Sequence, residues 1–408
     1  MLVRFSITIS ECQKIQDSLD CYEKASRQQL NRAKSCLLFS KSTSSLAIEQ
    51  ITNYLGAKEV KNYEKYLGLP SLIGKNKRAS LMYIKERVWS KLQGWKEQLL
   101  SQAGKEVLLK AVVQAIPTYA MSCFKLPITL CNDIEQLIRK FWWGHRGNQR
   151  KIHWTKWSTL CLPKELGGMG FKELQKFNDA MLAKQVWRLL EDKTSLFHKF
   201  FKAKFFPKGN IFDAKENKGS FAWRSILKSR DVITKGAQWR VGNGEDILIF
   251  KDSWLPNLQQ SKVQSFPTFL GSDAHVSVLI DKENRTWISD AIVNNFMLIE
   301  SIPISIVEAK DKLFWPSNSD GLYSVKAGYR LLVNESLNPP DGHSLLSQPM
   351  NYWKVLWKLK IPNRTKTLLW RATKDALPTR ANLMRRKVLM NSTCQVCETE
   401  PESTLHAL

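Results

Sequence analysis

Residues 81–99 read LMYIKERVWSKLQGWKEQL. Leu81, Ile84, Val88, Leu92, Trp95 and Leu99 follow at steps of three and four, which places them on one face of an α-helix. Ser101 stands where an N-cap is wanted, ahead of KEVLLKAVVQAI at 105–116. Pro117 stops or kinks that second helix, because it lacks an N–H and clashes with the preceding turn. A third helix runs through Ile134, Leu137, Ile138, Phe141 and Trp142. The region therefore predicts a small helical bundle with Lys and Arg on its outer faces.

Working outward, ECQKIQDSLDCYEKASRQQLN (11–31) has helical spacing at Ile15, Leu19 and Tyr22, and KSCLLFSKS (34–42) reads as a short strand. Residues 172–206 stay helical and rich in Phe and Lys, and a further helix is expected near 220–234. In GAQWRVGNGEDILIFKDSWLP, Gln238–Val241, the turn Gly242-Asn243-Gly244 and Ile247–Lys251 form a hairpin signal. Residues 261–350 carry Pro267, Pro303, Pro316, Pro339 and Pro340 around helical islands such as Val325–Val333. They read as a loosely packed connector ending in a flexible linker near 334–350. The expected class is mainly α with small β elements (α+β).

The chain has 408 residues and a formal charge of +25, unevenly placed. Residues 1–57 carry +2, 58–160 carry +12 and 161–260 carry +7, whereas 261–350 carry −3. The 41 residues 351–391 carry +10 with a single acid. One basic run reads equally well as a solvated face, but two separate basic blocks point to a polyanionic partner, nucleic acid above all. No apolar run reaches the roughly 18 residues of a membrane span, and the N-terminus lacks a secretory pattern. Of eight cysteines, Cys12, Cys21, Cys36, Cys123, Cys131 and Cys161 are scattered singly and read as reduced thiols.

The remaining two make the sharpest motif. Cys394-Gln-Val-Cys397 is followed after eight residues by His406. Two thiolates on a tight turn joined by an imidazole supply three of the four ligands of a tetrahedral zinc site, and no fourth follows before Leu408. A chance coincidence of two thiols and a histidine is the competing reading. A redox CxxC is disfavoured because no βαβ pattern precedes it. Upstream, Trp353, Trp357 and Trp370 alternate with Lys354, Lys358, Lys360, Arg364, Lys366, Arg371 and Arg380, and Arg385, Arg386 and Lys387 precede the cysteines. The tryptophans read as core and the cations as candidate phosphate contacts. Gly167-Gly168-Met169-Gly170 lacks the Lys and spacing of a P-loop and reads as a tight turn. No Asp-Asp pair occurs anywhere, and no constellation reads as a complete active site.

With those residues quoted, the chain resembles the C-terminal part of a plant LINE-type (non-LTR) retrotransposon reverse transcriptase. ECQKIQDSLDCYEKASRQQLN with KSCLLFSKS resembles the palm helix and strand after the catalytic hairpin, and YLGLP (66–70) the palm-to-thumb segment. LQGWKEQLLSQAGKEVLLKAVVQAIPTYAMSCFKLP resembles the helical thumb. FWWG, LGGMGF and WRVGNGEDILIFKDSWLP resemble the following connector, and 353–406 the reverse-transcriptase zinc-binding domain. The organisation implied is a palm remnant (1–57), a thumb-like bundle (58–160), a helical connector (161–260), an acidic connector (261–350) and a truncated basic zinc-binding module (351–408). The resemblance implies polymerase carboxylates upstream of residue 1, so the expectation is a fragment that does not polymerise. It would bind RNA or DNA through basic surfaces, without membrane or small-molecule partners. The competing reading is an inert or protein-interaction remnant. Nucleus, cytoplasm or mitochondrion are the expected compartments.

Overall fold

The computed structural model describes residues 8–31, 35–37, 39–40, 43–59, 68–70, 73–96, 100–144, 151–215, 219–256, 262–263, 271–281, 283–288, 296–304, 309–337 and 350–408. Two units are distinguished, residues 1–81 and 82–408. No helix among the described residues is long and apolar enough to cross a membrane.

In the first unit, α1 (Ile9–Ser26) starts at Thr8, whose hydroxyl accepts the Glu11 N–H. Strand β1 (Cys36–Leu37) pairs in parallel with β2 (Lys58–Glu59), with α2 (Ser45–Leu55) between them. Ser44 caps α2, and Gly56 ends it in the left-handed conformation. Cys12 and Ile51 are the buried residues of the two helices.

The second unit opens with most of α3 (Lys77–Lys96), whose Ile84, Val88 and Leu92 are buried as the spacing predicts. Leu99 lies outside the described residues. Ser101 caps α4 (Gln102–Ala111) by accepting the Gly104 N–H. The helix expected over 105–116 breaks after Ala111 into a 3-10 turn at Val113–Ala115, and Pro117 precedes α5 (Thr118–Cys123). The buried Gln114 side chain within that turn donates to the Lys172 carbonyl at 3.3 Å, a tertiary contact that a continuous α-helix would re-aim. Next, α6 (Ile128–Trp142) buries Ile134, Ile138, Phe141 and Trp142, and its Asp133 pairs with Lys85 of α3.

After α7 (Trp157–Cys161), the long helix α8 (Leu174–Glu191) is surrounded. Only Arg188 and Glu191 of its residues are exposed. Asn178 on α8 is fully buried and bonded on both ends of its amide: Oδ1 accepts the Leu126 N–H, and Nδ2 donates to the Met121 and Phe124 carbonyls. One side chain thus fixes the turn between α5 and α6 against α8. Around α8 and its neighbours α9 (Leu196–Phe205), α10 (Phe221–Leu227) and α11 (Arg230–Gly236), a core forms from Val186, Trp187, Phe206, Trp223, Ile233, Trp315 and Tyr323.

The hairpin expected at 238–251 does not form. Strand β3 (Gln238–Arg240) pairs antiparallel with the distant β6 (Lys312–Phe314), and Ile247–Lys251 is not a strand. The physical reason is a carboxylate: Asp311 accepts the N–H groups of Gly242 at 2.7 Å, Gly244 at 2.9 Å and Asp246 at 2.9 Å. The Gly-Asn-Gly loop is therefore an anion nest filled from 65 residues or more away, not a two-residue turn. Ile247 and Ile249 go instead into a second core with Leu255, Val276 and Leu279. Near it lie β4 (Ile280–Asp281), its antiparallel partner β5 (Thr286–Trp287), and α12 (Phe296–Glu300), which contributes Ile299.

Residues 261–350 are accordingly not a loose connector where they are described. They supply β6, the buried Trp315 and Tyr323, and α13 (Val325–Leu337), which packs on α8. Tyr323 Oη donates to the Ala180 carbonyl of α8 at 2.7 Å, and Lys184 Nζ returns a bond to the Tyr323 carbonyl at 2.9 Å. The first four residues of the expected linker, 334–337, belong to α13, and 338–349 lie outside the described residues.

Asp311→Ala leaves three backbone donors without their acceptor. Its urea midpoint, followed by tryptophan fluorescence, is expected to fall by an amount worth about 1–3 kcal/mol. An unchanged midpoint would refute the nest as the organiser of this loop. Asn178→Ala strands the Leu126 donor and two carbonyls in a buried site, and an equal or larger loss is expected in the same assay.

Candidate metal centre and basic surface

Three short helices, α14 (Met350–Lys358), α15 (Asn363–Thr373) and α16 (Arg380–Arg385), carry the C-terminal module. Two tryptophans seat it. Trp370 is fully buried and its Nε1–H donates to the Gly167 carbonyl at 2.9 Å, while the buried Trp353 lies against the same turn. Gly167 has φ +80°, and a Cβ there would fall 2.6 Å from the Trp353 ring; a Cβ on Gly168 would collide with the Leu162 carbonyl. The Gly-Gly-Met-Gly segment is thus the tight turn that the sequence suggested, and it is glycine-rich because an indole and a backbone both press on it. Lys374 and Lys164 lie over the Trp353 and Trp357 rings, 4.6 and 4.3 Å from the centroids.

Between α15 and α16 the chain reverses around two polar side chains. Arg371 donates from Nε and Nη2 to the Ala376 carbonyl. Asn382, buried, donates to the Asp375 and Leu377 carbonyls and to Asp375 Oδ1. Thr379 caps α16.

The metal-ligand candidates follow. Thr393 and Pro401 form an antiparallel bridge, flanked by Cys394 N–H to Glu400 at 2.8 Å and Glu402 N–H to Ser392 at 2.8 Å. This folds the Cys-x-x-Cys segment into a tight loop in which Glu398 takes φ +58° and its N–H donates to the Cys394 carbonyl. A turn over Ser403–Ala407 brings His406 back. The sulfur atoms of Cys394 and Cys397 and a ring nitrogen of His406 all lie within 4.8 Å of one another, with Cys397 Sγ 3.3 Å from His406 Nε2. A zinc ion bonded at about 2.3 Å to sulfur and about 2.0 Å to nitrogen needs donors at such separations, so the donor set and its spacing fit the metal.

Cys394 is buried and Cys397 exposed. Hydrogen bonds from the Glu400 backbone, then from Thr399, pull the Cys397 thiol down to about 6. These bonds favour the thiolate, the form that binds metal. The loop is tied to the helices at two points: Ala381 N–H donates to the Glu402 carbonyl at 3.2 Å, and Thr404 Oγ1 donates to Asp375 Oδ1 at 2.6 Å. Asp375 also pairs with Arg385 at 2.9 Å. The Thr404 hydroxyl, then Asn382 and Arg385, hold its carboxyl below the usual range despite some desolvation. Sequence reasoning missed Asp375 and Thr404, since no local signal links residues 29 apart.

The basic residues divide by what they touch. Lys354, Lys358, Lys360 and Arg364 are exposed on α14, the turn after it and the start of α15, and Lys387 is exposed after α16. Arg380 is half-buried, and its Nε has no acceptor. Others are engaged within the chain: Lys366 donates to the Trp357 carbonyl, Arg371 to Ala376, and Arg386 to the Trp154 carbonyl at 3.1 Å, while Arg385 pairs with Asp375. The structure therefore brings together one exposed cationic strip around the α14–α15 turn and a second group that braces the module.

Comparison with known proteins bears on this site. Residues 323–408 match the family described as zinc-binding in reverse transcriptase. The match begins at Tyr323 and so includes α13 as well as the three short helices. An Arabidopsis thaliana protein bearing a ribonuclease H name is 34% identical over 336 residues, covering 80% of this chain and 53% of its own length. The chain thus spans about half of that relative. An uncharacterized mitochondrial protein of Arabidopsis thaliana is 36% identical over 143 residues, 35% of this chain and 93% of that protein. The chain belongs to the plant LINE-type, non-LTR retrotransposon reverse-transcriptase family and carries that family's zinc-binding domain.

Proposed function

We propose that this chain is a non-catalytic, retroelement-derived nucleic-acid-binding protein whose C-terminal module holds zinc through Cys394, Cys397 and His406. The observation that carries the reading is the convergence of these donors, two thiols and an imidazole within 4.8 Å, beside a helical module whose outer residues are cationic. The non-catalytic half rests on one sequence feature: the chain contains no Asp-Asp pair, the carboxylates of the polymerase hairpin in the family that it resembles.

In this reading the metal is structural. It would neutralise the Cys397 thiolate and lock the loop onto Asp375 and Ala381, where Arg385 and Asn382 are already held. The ribonuclease H name of one relative, together with the family, supports a polyanionic partner. Lys354, Lys358, Lys360 and Arg364 supply the contact, as exposed cations without an acceptor among the described residues. Lysine and arginine directed at phosphates read charge rather than sequence, so RNA and DNA bind with little sequence preference.

Purified full-length chain is expected to carry about one zinc, measured by plasma emission, and Cys397→Ser or His406→Ala to lose it. Full retention of zinc by both variants would sink the assignment. Affinity for a labelled duplex should fall with salt, and Lys354→Glu/Lys358→Glu/Arg364→Glu should flatten the log–log slope by roughly 0.9 for each phosphate that is no longer neutralised. Equal slopes would favour the interaction-remnant reading. Asp375→Asn is expected to speed hydrogen exchange of the His406 and Ala407 amides while leaving the helical core protected. Because the Asp375 carboxylate is favoured by folding, the clamp is complete above the ordinary carboxylate range and weakens as pH falls through its depressed value.

A further inference from the structure

Helix α9 presents a face that neither the core nor the zinc module uses. At 100° per residue, its Leu196, Phe200 and Ala203 form one ridge, with Lys199 and Lys202 on one flank and Lys204 on the other. The opposite side is consumed by packing: Phe201, Phe205 and Phe206 lie 5.4, 4.6 and 5.7 Å from the Trp223 ring, and His198 is buried with Nδ1 at the Leu189 carbonyl. The helix is thus rigidly held from behind. In front, Leu196 is 83% and Phe200 55% exposed, although a buried position for either would be the apolar default.

Glu191 and Asp192 precede the helix, and from there to Lys208 the charge is of one sign. Residues 193–208 contain five lysines and no acid. None of Lys193, Lys199, Lys202, Lys204 and Lys208 has a carboxylate partner among the described residues. Lys204 Nζ lies over the Phe200 ring, 5.6 Å from its centroid, so this half-exposed ring already carries a cation on one face.

We propose that the α9 face is a second nucleic-acid site, separate from the zinc module, that takes single-stranded RNA or DNA. A base stacks on Phe200 while Lys199, Lys202 and Lys204 meet the flanking phosphates. An aromatic platform within a cationic strip is the chemistry that unpaired bases require and that a duplex, with its bases already stacked, cannot use. A lipid surface is the weaker fit: only Leu196 and Phe200 of the large apolar residues of α9 are exposed, little area for interfacial insertion.

The test uses the full-length chain, a fluorescein-labelled oligo-dT of about 15 nucleotides, and a duplex of the same length. Phe200→Ala, at an exposed position, should melt like the wild type. It is expected to weaken oligo-dT binding about five- to a hundredfold while changing duplex affinity less than twofold. Lys199→Glu/Lys202→Glu should weaken oligo-dT binding as well. Unchanged oligo-dT affinity in Phe200→Ala overturns the proposal. If Lys354→Glu/Lys358→Glu/Arg364→Glu alone abolishes binding, the zinc-module reading stands without it. No binding of either probe by the wild type overturns both. Loss of binding to phosphatidylserine vesicles in Phe200→Ala, with oligo-dT affinity unchanged, overturns it in favour of a lipid surface.

Discussion

The second unit depends on the burial of α8 around nearly its whole circumference. A helix with a single apolar stripe needs one partner, whereas α8 exposes only Arg188 and Glu191 and so needs a partner on every side. Those partners come from both directions along the chain: α5 and α6 before it, α9 to α11 after it, and α13 from about 150 residues beyond. The polar groups trapped in this arrangement are satisfied specifically. Asn178 takes one donor and two acceptors from the α5–α6 turn, and Tyr323 spends its hydroxyl on the Ala180 carbonyl. Such bonds add little net stability individually, but leaving any one unmade is costly, so they select this packing over its neighbours.

The C-terminal module inherits its position from that frame. The Gly167-Gly168 turn lies a few residues ahead of α8, and Trp353 and Trp370 dock on it from the far end of the chain. Two consequences follow for function. The cations of α14 and α15 are presented by a module anchored through buried indoles, not by a freely tumbling tail. The metal-ligand loop is in turn anchored to α15 and α16 through Asp375 and Ala381, so ordering of the loop and ordering of the basic helices are physically linked.

Charge and aromatic residues recur together in the C-terminal module and on α9, with opposite weights. In the C-terminal module the tryptophans are inside and the cations outside, which suits phosphate contact alone. On α9 one phenylalanine has been left outside among lysines that have no acid to balance them. The two proposed surfaces therefore differ in chemistry: cations alone suit phosphates, whereas an exposed ring among cations suits unpaired bases.

What the sequence determined by itself was whatever depends on near neighbours. Helical periodicity named the buried residues Ile84, Val88, Leu92, Ile134 and Ile138, Ser101 announced its cap, and Cys-x-x-Cys with His406 announced three donor side chains, which the fold brings within 4.8 Å of one another. Family motifs added the zinc-binding domain at the C-terminal end. Tertiary structure decided the rest. Gly242-Asn243-Gly244 has the residues of a hairpin turn, yet three backbone N–H groups found a better acceptor in Asp311 than the neighbouring strand could offer, and β3 pairs with β6 instead. Proline and acid content made 261–350 look like a linker, whereas Trp315, Tyr323 and α13 complete a core that begins at α8. The ten cations named as candidate contacts between 354 and 387 looked alike, and only their distances to backbone carbonyls and to Asp375 separated the residues that brace the module from those that face outward. The dividing line is sequence separation: caps, turns and helix faces are settled within a few residues, while an acceptor or an indole from across the fold leaves no trace in the residues it will meet.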